Sequence, residues 1–313
     1  MSNCHRSQAR TYARTFRSSV LWSAAWAALT IFGLAARADA QAVPSEKDGL
    51  PIPADQTIRA GCEKIFRPST GQPGKDVVWV PTNDALVTRM LEMAKVTQHD
   101  LVYDLGAGDG KIAIAAAKQF GARAVGVEYN PDMARLAQCL VRAEGVADKV
   151  KVMQGDIFET DFSDATVVTL YLLPELNMRL RPTLLKMKPG TRVVSHSFLM
   201  EDWQPDESSV TTDGAAYLWI VPADVQGKWT FRQQRGSHTF DVDVIQTFQK
   251  LDGSTVGSGK TPISEGELRG TRISMAFSEG DTHTRLEGEL KGDRVEAQVT
   301  RNGQSSTYIG TRR

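Results

Sequence analysis

The sequence predicts an α/β fold: a doubly wound, mostly parallel sheet with helices on both faces, followed by a small antiparallel β domain. Three observations carry that expectation. Between residues 84 and 221, short apolar runs alternate with runs of helical period, the pattern of strands joined by crossover helices. A glycine-rich turn over 104–110 separates the first of these strands from the helix after it, where an open α/β sheet binds its ligands. After Pro222 the apolar period falls to two, and turn pairs recur at hairpin spacing.

The elements follow in order. Residues 41–75 are rich in Pro, Gly and polar side chains and read as a linker or extended arm. Over 84–95, Leu86, Val87, Met90, Leu91 and Ala94 recur at helical spacing. Leu101-Val102-Tyr103 is a strand, 111–120 a helix, 122–127 a strand, and 131–144 a helix with Pro131 in its first turn, where a missing N–H does no harm. Strands are expected over 150–153, 165–170 and 192–195, with a helix over 175–187 stopped by Pro189-Gly190. Residues 217–221 are expected as the last strand of this sheet. Farther on, Phe240, Val242 and Val244 alternate with Thr239, Asp241 and Asp243, and Asp252-Gly253, Gly280-Asp281, Gly292-Asp293 and Asn302-Gly303 mark turns between strands such as 273–277 and 295–299. The boundaries are thus 76–222 for the α/β unit and 226–313 for the β unit.

Composition narrows the function. The 313 residues include 37 Lys and Arg against 37 Asp and Glu, and 41% are hydrophobic, enough to bury real cores. Residues 1–38 hold no acid; Arg6, Arg10, Arg14 and Arg17 precede an apolar run over 20–36 that ends in Ala38-Asp39-Ala40. This is the layout of a secretory signal peptide over 1–40, with an uncleaved membrane anchor as the alternative. It places the protein outside the cytoplasm, periplasmic or envelope-associated. Removing five of the basic groups and one acid leaves 32 against 36, a net charge of about −4 that argues against a nucleic-acid partner. Cys62 and Cys139 remain; they could pair in an oxidising compartment, but Cys139 sits in an apolar helical stretch where a buried free thiol is the commoner state. No C-x-x-C pair occurs and the five histidines are scattered, so no metal site is expected.

The chemistry lies in Asp104-Leu105-Gly106-Ala107-Gly108-Asp109-Gly110-Lys111, where glycines let backbone N–H groups approach a ligand. A dinucleotide fingerprint wants a third Gly where Lys111 stands. Two further acids end the next strands: Glu128, eighteen residues beyond Gly110, placed for a bidentate grip on ribose hydroxyls, and Asp156 in Gln154-Gly155-Asp156-Ile157, placed to accept from an adenine amino group. The D-x-G-x-G-x-G run resembles motif I of class I S-adenosylmethionine (SAM) methyltransferases. The [DN]-P-P-[FY] signature of adenine-base methylases is absent; Leu170-Tyr171-Leu172-Leu173-Pro174 stands in its place.

A wider resemblance covers residues 78–205. Trp79-Val80-Pro81-Thr82, the glycine turn, the run from Gly126 to Pro131, Asp156-Ile157-Phe158 and Pro174 with its Leu-rich helix look like the protein-lysine N-methyltransferase family that includes the mitochondrial enzyme modifying the c subunit of ATP synthase, and the run from Leu180-Arg181-Pro182 through Arg192 to His196 resembles similar secreted-looking bacterial methyltransferases. The resemblance implies a Rossmann-like class I methyltransferase sheet, SAM as cofactor, and an amine acceptor, a protein lysine first. It implies SAM contacts at Asp104, Gly106, Gly108, Gly110, Glu128 and Asp156, with Tyr129 flanking the adenine. It also implies that Trp79 to Thr82 closes over the methionine end, a core anchor being the other role open to Trp79. Tyr171, Pro174, Glu175 and Asn177 are the candidates for the acceptor side, and His196 is read as hydrogen-bonded structure. The trailing β domain departs from that mitochondrial enzyme. It keeps two alternatives open: a small-molecule or lipid methyltransferase, and a non-catalytic SAM-binding envelope protein.

Overall fold

The structure, a computed structural model, describes residues 54–257 and 259–313; the expected leader over 1–40 lies outside them. Its first element corrects an expectation. Helix α1 (Ala54–Ile65) falls inside the stretch read as a linker or extended arm. The helix is hidden in the sequence by the Pro and Gly residues that flank it, and it is tied to the rest by the Arg59–Glu144 pair and covalently: Cys62 is disulfide-bonded to Cys139 in α4 (Pro131–Ala143). Cys139 is therefore not a free thiol. Without α1, nothing in the sequence brings Cys62 near it. Around the bridge, Met133, Leu136 and Leu140 form a small core with Phe66 and Trp79.

Helix α2 (Asp84–Met93) begins where the Asn83 side chain accepts the Ala85 N–H at 2.8 Å, and it buries Leu86, Val87, Met90 and Leu91. Then come β1 (Leu101–Leu105), α3 (Lys111–Phe120), β2 (Arg123–Glu128), α4, β3 (Val150–Gln154), β4 (Val167–Leu170), α5 (Pro174–Leu184) and β5 (Arg192–His196). These five strands are parallel. Two antiparallel strands, β6 (Glu207–Thr211) and β7 (Gly214–Ile220), complete a seven-stranded sheet of order β3-β2-β1-β4-β5-β7-β6. The sequence reading missed β6, a half-exposed edge strand whose Glu-Ser-Ser-Val-Thr run offers one apolar residue. The buried Asp100 carboxylate pairs with Arg192 and is held below the usual carboxylate range by hydrogen bonds from Arg192 and Thr166 that outweigh the opposing effect of its burial, fixing the amino ends of the central strands.

The second lobe is a closed eight-stranded antiparallel barrel made of β8 (Gly227–Gln233), β9 (Thr239–Thr247), β10 (Lys250–Val256), β11 (Ser264–Arg269), β12 (Arg272–Glu279), β13 (Thr282–Lys291), β14 (Arg294–Arg301) and β15 (Gln304–Arg312). Trp229, Phe231, Leu268, Leu286, Val295 and Tyr308 fill its interior. Three of the expected turns stand between strands, but Asp252-Gly253 lies inside β10. There Gly253 serves a close approach: a Cβ on it would sit 2.0 Å from the Asp243 carbonyl oxygen. The turn is made one step earlier, where Phe248 takes a positive φ of 53° and stacks its ring on Trp203 of the first lobe.

That stacking is part of a seam. Trp203 packs on Trp219, whose indole N–H donates to the Trp203 carbonyl at 2.8 Å. Ala223 N–H donates to the Gly270 carbonyl, and Gly270 abuts Gly190, which precedes β5. The barrel is therefore seated at the amino end of β5, away from the carboxyl ends where the glycine turn lies. Among the described residues no helix is long and apolar enough to cross a membrane.

Replacing both Cys62 and Cys139 with Ser should lower stability by about 2–4 kcal/mol. A reductant should lower the wild-type melting temperature towards that of the variant. Equal melting temperatures for oxidised, reduced and Ser-substituted protein would show that the bridge contributes nothing.

Candidate functional site

Strand order sets out the site. Reading β3-β2-β1-β4-β5 along the carboxyl edge gives Asp156, Glu128, Asp104 with the glycine turn, Tyr171, and then His196 with Phe198. All but His196 border a single cavity of about 590 Å³, within the ~300–1,000 Å³ usual for small-molecule sites.

The three acids are held in three different ways. Asp104 is 2% exposed and accepts one hydrogen bond, from the Thr169 hydroxyl at 2.8 Å. Burial pushes its pKa up to about 7, against the Thr169 bond and with help from Asp109 and Glu128 nearby. Glu128 accepts the Gly108 and Asn130 N–H groups, each at 2.8 Å, which fixes its carboxylate on the cavity wall with lone pairs to spare. Asp156 accepts the Phe158 N–H at 2.9 Å and pairs with the Lys75 ammonium, and its pKa is lowered chiefly by Lys75. Asp109, also on the cavity, is raised by burial.

The glycine turn does not work as the sequence suggested. Its amides are already spent: Gly106 and Ala107 N–H donate to the Val127 carbonyl, Gly108 to Glu128, and Gly110 to the Ala107 carbonyl. What the glycines give is room. A Cβ on Gly108, whose φ is +57°, would stand 2.7 Å from Trp79 Nε1. Gly110 is off the cavity, turned against Ala137 of α4.

A strap over residues 71–82 crosses the cavity. It starts as a hairpin in which Gly71 and Trp79 N–H donate to the Trp79 and Gln72 carbonyls. Trp79 packs against the Cys62–Cys139 core, the anchor role open to it, and also lines the cavity. At the strap's far end the Thr82 carbonyl accepts from Lys111 Nζ at 3.0 Å, and the Thr82 hydroxyl pairs with His196 Nδ1 at 3.1 Å. His196 lies under the Tyr171 ring, with centroids 3.7 Å apart, and burial lowers its pKa to about 4. The imidazole is therefore neutral near pH 7 and supports Tyr171 from behind.

Of the four acceptor-side candidates, Tyr171 lines the cavity. Pro174 and Glu175 are exposed at the start of α5, off the cavity wall. Asn177 is fully buried, with Nδ2 towards Ser195 and the Phe198 carbonyl. Tyr129 borders the cavity beside Glu128. Sequence reasoning missed Lys75, Asp109, Leu173 and Phe198. Phe198 had a signal, an aromatic just beyond a strand's carboxyl end, but Lys75 had none, since its partner lies 81 positions away.

A buried carboxyl with a single hydroxyl partner suits a ligand that brings its own cation. Glu128 and Asp156 keep free lone pairs and suit hydroxyl and amino donors on the same ligand.

Over the same region the chain is similar to known methyltransferases. The model of the ANTKMT methyltransferase domain family matches residues 104–207, ending before the barrel. A protein-lysine N-methyltransferase from Saccharolobus islandicus is 48% identical over 151 residues, which are 46% of this chain and 94% of that protein. A human lysine N-methyltransferase of the ATP synthase c subunit is 31% identical over 146 residues; the chain spans 61% of its length. Among solved structures, an RNA methyltransferase from Salinibacter ruber in complex with S-adenosyl-L-homocysteine is 50% identical, covering 47% of this chain and 96% of that one, with a TM-score of 0.46.

Two outcomes follow for the acids. Glu128→Ala should weaken cofactor binding by about 1.5–3 kcal/mol, roughly ten- to a hundredfold, in a calorimetric titration; an unchanged affinity would take Glu128 out of the site. Asp104 holds its proton to about pH 7 when folded but to about 3.8 when unfolded, so its burial costs nothing below pH 4 and progressively more as pH rises to 7. Asp104→Asn should therefore melt above wild type at pH 8, by an equivalent of at most about 4 kcal/mol, with the gap closing near pH 4. A gap independent of pH would contradict a raised Asp104.

Proposed function

The chain belongs to the protein-lysine N-methyltransferase family, and from that premise we propose that it transfers a methyl group from SAM to the ε-amino group of a lysine in a protein substrate met outside the cytoplasm. The observation that carries the reading is the continuity of one cavity from three carboxylates, on β3, β2 and β1, to an aromatic end at Tyr171 and Phe198 beyond β4 and β5. SAM, when bound, supplies a methyl group made electrophilic by its sulfonium.

The chain's own residues do the rest. Asp104, Glu128 and Asp156 fix the position of the cofactor, and the strap covers it, which makes alignment the main contribution to rate. The acceptor amine must arrive neutral. Leu172, Leu173, Leu176 and Phe198 give the acceptor end an apolar wall, and desolvation there lowers an amine's pKa. Tyr171, stacked on neutral His196 and facing Phe198, provides a fixed aromatic face with a hydroxyl at its edge.

Export is supported by two independent features: the basic and apolar layout of residues 1–40, and the Cys62–Cys139 disulfide, a bond that persists in oxidising compartments. The acidic balance of residues 41–313 supports a protein rather than a nucleic-acid acceptor.

Incubating the purified protein with methyl-labelled SAM and fractionated envelope extract should place label in a protein band, on a lysine after peptide mapping. Label confined to an organic-solvent extract would favour a lipid or small-molecule acceptor. No transfer to any fraction, despite cofactor binding, would favour a non-catalytic role.

A further inference from the structure

The tip of the strap carries a charged group that methyl transfer itself does not call for. Lys75, beside Gly74 at the turn of the hairpin, reaches across to Asp156 beyond β3, with Nζ to Oδ2 at 2.5 Å, and lies 4.7 Å from the centroid of the Tyr129 ring. Those are the two groups placed at the adenine end. Among the described residues this is the one ion pair between the strap tip, 74–77, and the sheet edge. The other ties hold the rest of the strap: the indole of Trp79 over Gly108, and Thr82 bound by Lys111 and His196. Behind it, the Cys62–Cys139 bridge fixes α1. The adenine end is thus closed by one side chain.

A lysine in this place could be an occupant that must leave or a wall that stays. The cavity decides between them, because its roughly 590 Å³ are present with Lys75 in position as part of the lining. Asp156 also keeps acceptor capacity: its two oxygens take one N–H and one ammonium, and a carboxylate has about four lone-pair sites.

We propose that Lys75 is a positioning residue, a clasp that holds the strap shut over the adenine end by pairing with Asp156 while the cofactor is bound. This rests on reading the cavity as the SAM site. The clasp acts on escape more than on entry. The pair is partly solvated, with side-chain exposures of 35% and 14%, so its effect is modest and sensitive to salt.

The test uses the full chain and S-adenosyl-L-homocysteine, followed by calorimetry and by stopped-flow dissociation. Lys75→Met should weaken binding by up to about fivefold, with the change in the dissociation rate and an unchanged melting temperature. Lys75→Arg, which keeps the charge, should restore most of the affinity. High salt should speed dissociation from wild type but not from Lys75→Met. Binding that is unchanged or tighter in Lys75→Met, or a salt response common to both proteins, overturns the clasp and leaves the cofactor site standing. Failure of the wild type to bind S-adenosyl-L-homocysteine at all overturns the cofactor site, and the clasp with it.

Discussion

Among the carboxylates that line one small cavity, three stand side by side at the ends of neighbouring strands, and each must be kept from repelling the others. The sheet forces them together, because β3, β2 and β1 are neighbours and each carries an acid at or just beyond its carboxyl end: Asp156 two residues past β3, Glu128 last in β2 and Asp104 next to last in β1. The molecule meets the cost in three ways. Asp104, fully buried, tends to keep its proton; of the two half-buried acids, Glu128 is satisfied by two backbone N–H groups and Asp156 is paired with Lys75. Protonation thus serves the acid farthest from water, and hydrogen bonds or a counter-charge serve the other two, as the penalty for an unpaired ion requires.

That arrangement also explains the division of labour between the lobes. Everything the cavity needs comes from the carboxyl edge of the sheet and from the strap, while the barrel is seated at the amino end of β5 through Phe248, Trp203 and Gly270. The barrel neither lines nor covers the cavity. Its interior is packed with side chains.

Much of this was legible in the sequence, for a physical reason. Parallel strands buried on both faces must be apolar runs, and helices crossing over them must show a 3.6 period; hence β1 to β5 and α2 to α5 stood out. The acids were legible because a ligand site at strand ends is local in sequence: Asp104, Glu128 and Asp156 each sit within two residues of a strand terminus. What failed was whatever depends on distant partners. α1 was hidden by the Pro- and Gly-rich composition around it, and the partner of its Cys62 lies 77 positions away. Gly253 looked like a turn because both a turn and a close backbone approach call for glycine. Lys75 looked like any polar loop residue. The amides of Gly106, Ala107 and Gly108 looked available because their acceptors, the Val127 carbonyl and the Glu128 carboxylate, belong to another strand.

The disulfide has one more effect, on the connectivity of the chain. Cys62 and Cys139 are separated by 77 positions. The ring they close takes in the strap, α2, the glycine turn and Glu128. A single backbone cut anywhere within that ring, including the exposed hairpin at Gly74, leaves both pieces on one molecule. A protease that nicks the strap would therefore leave the two sides of the cavity joined, and no fragment would be released.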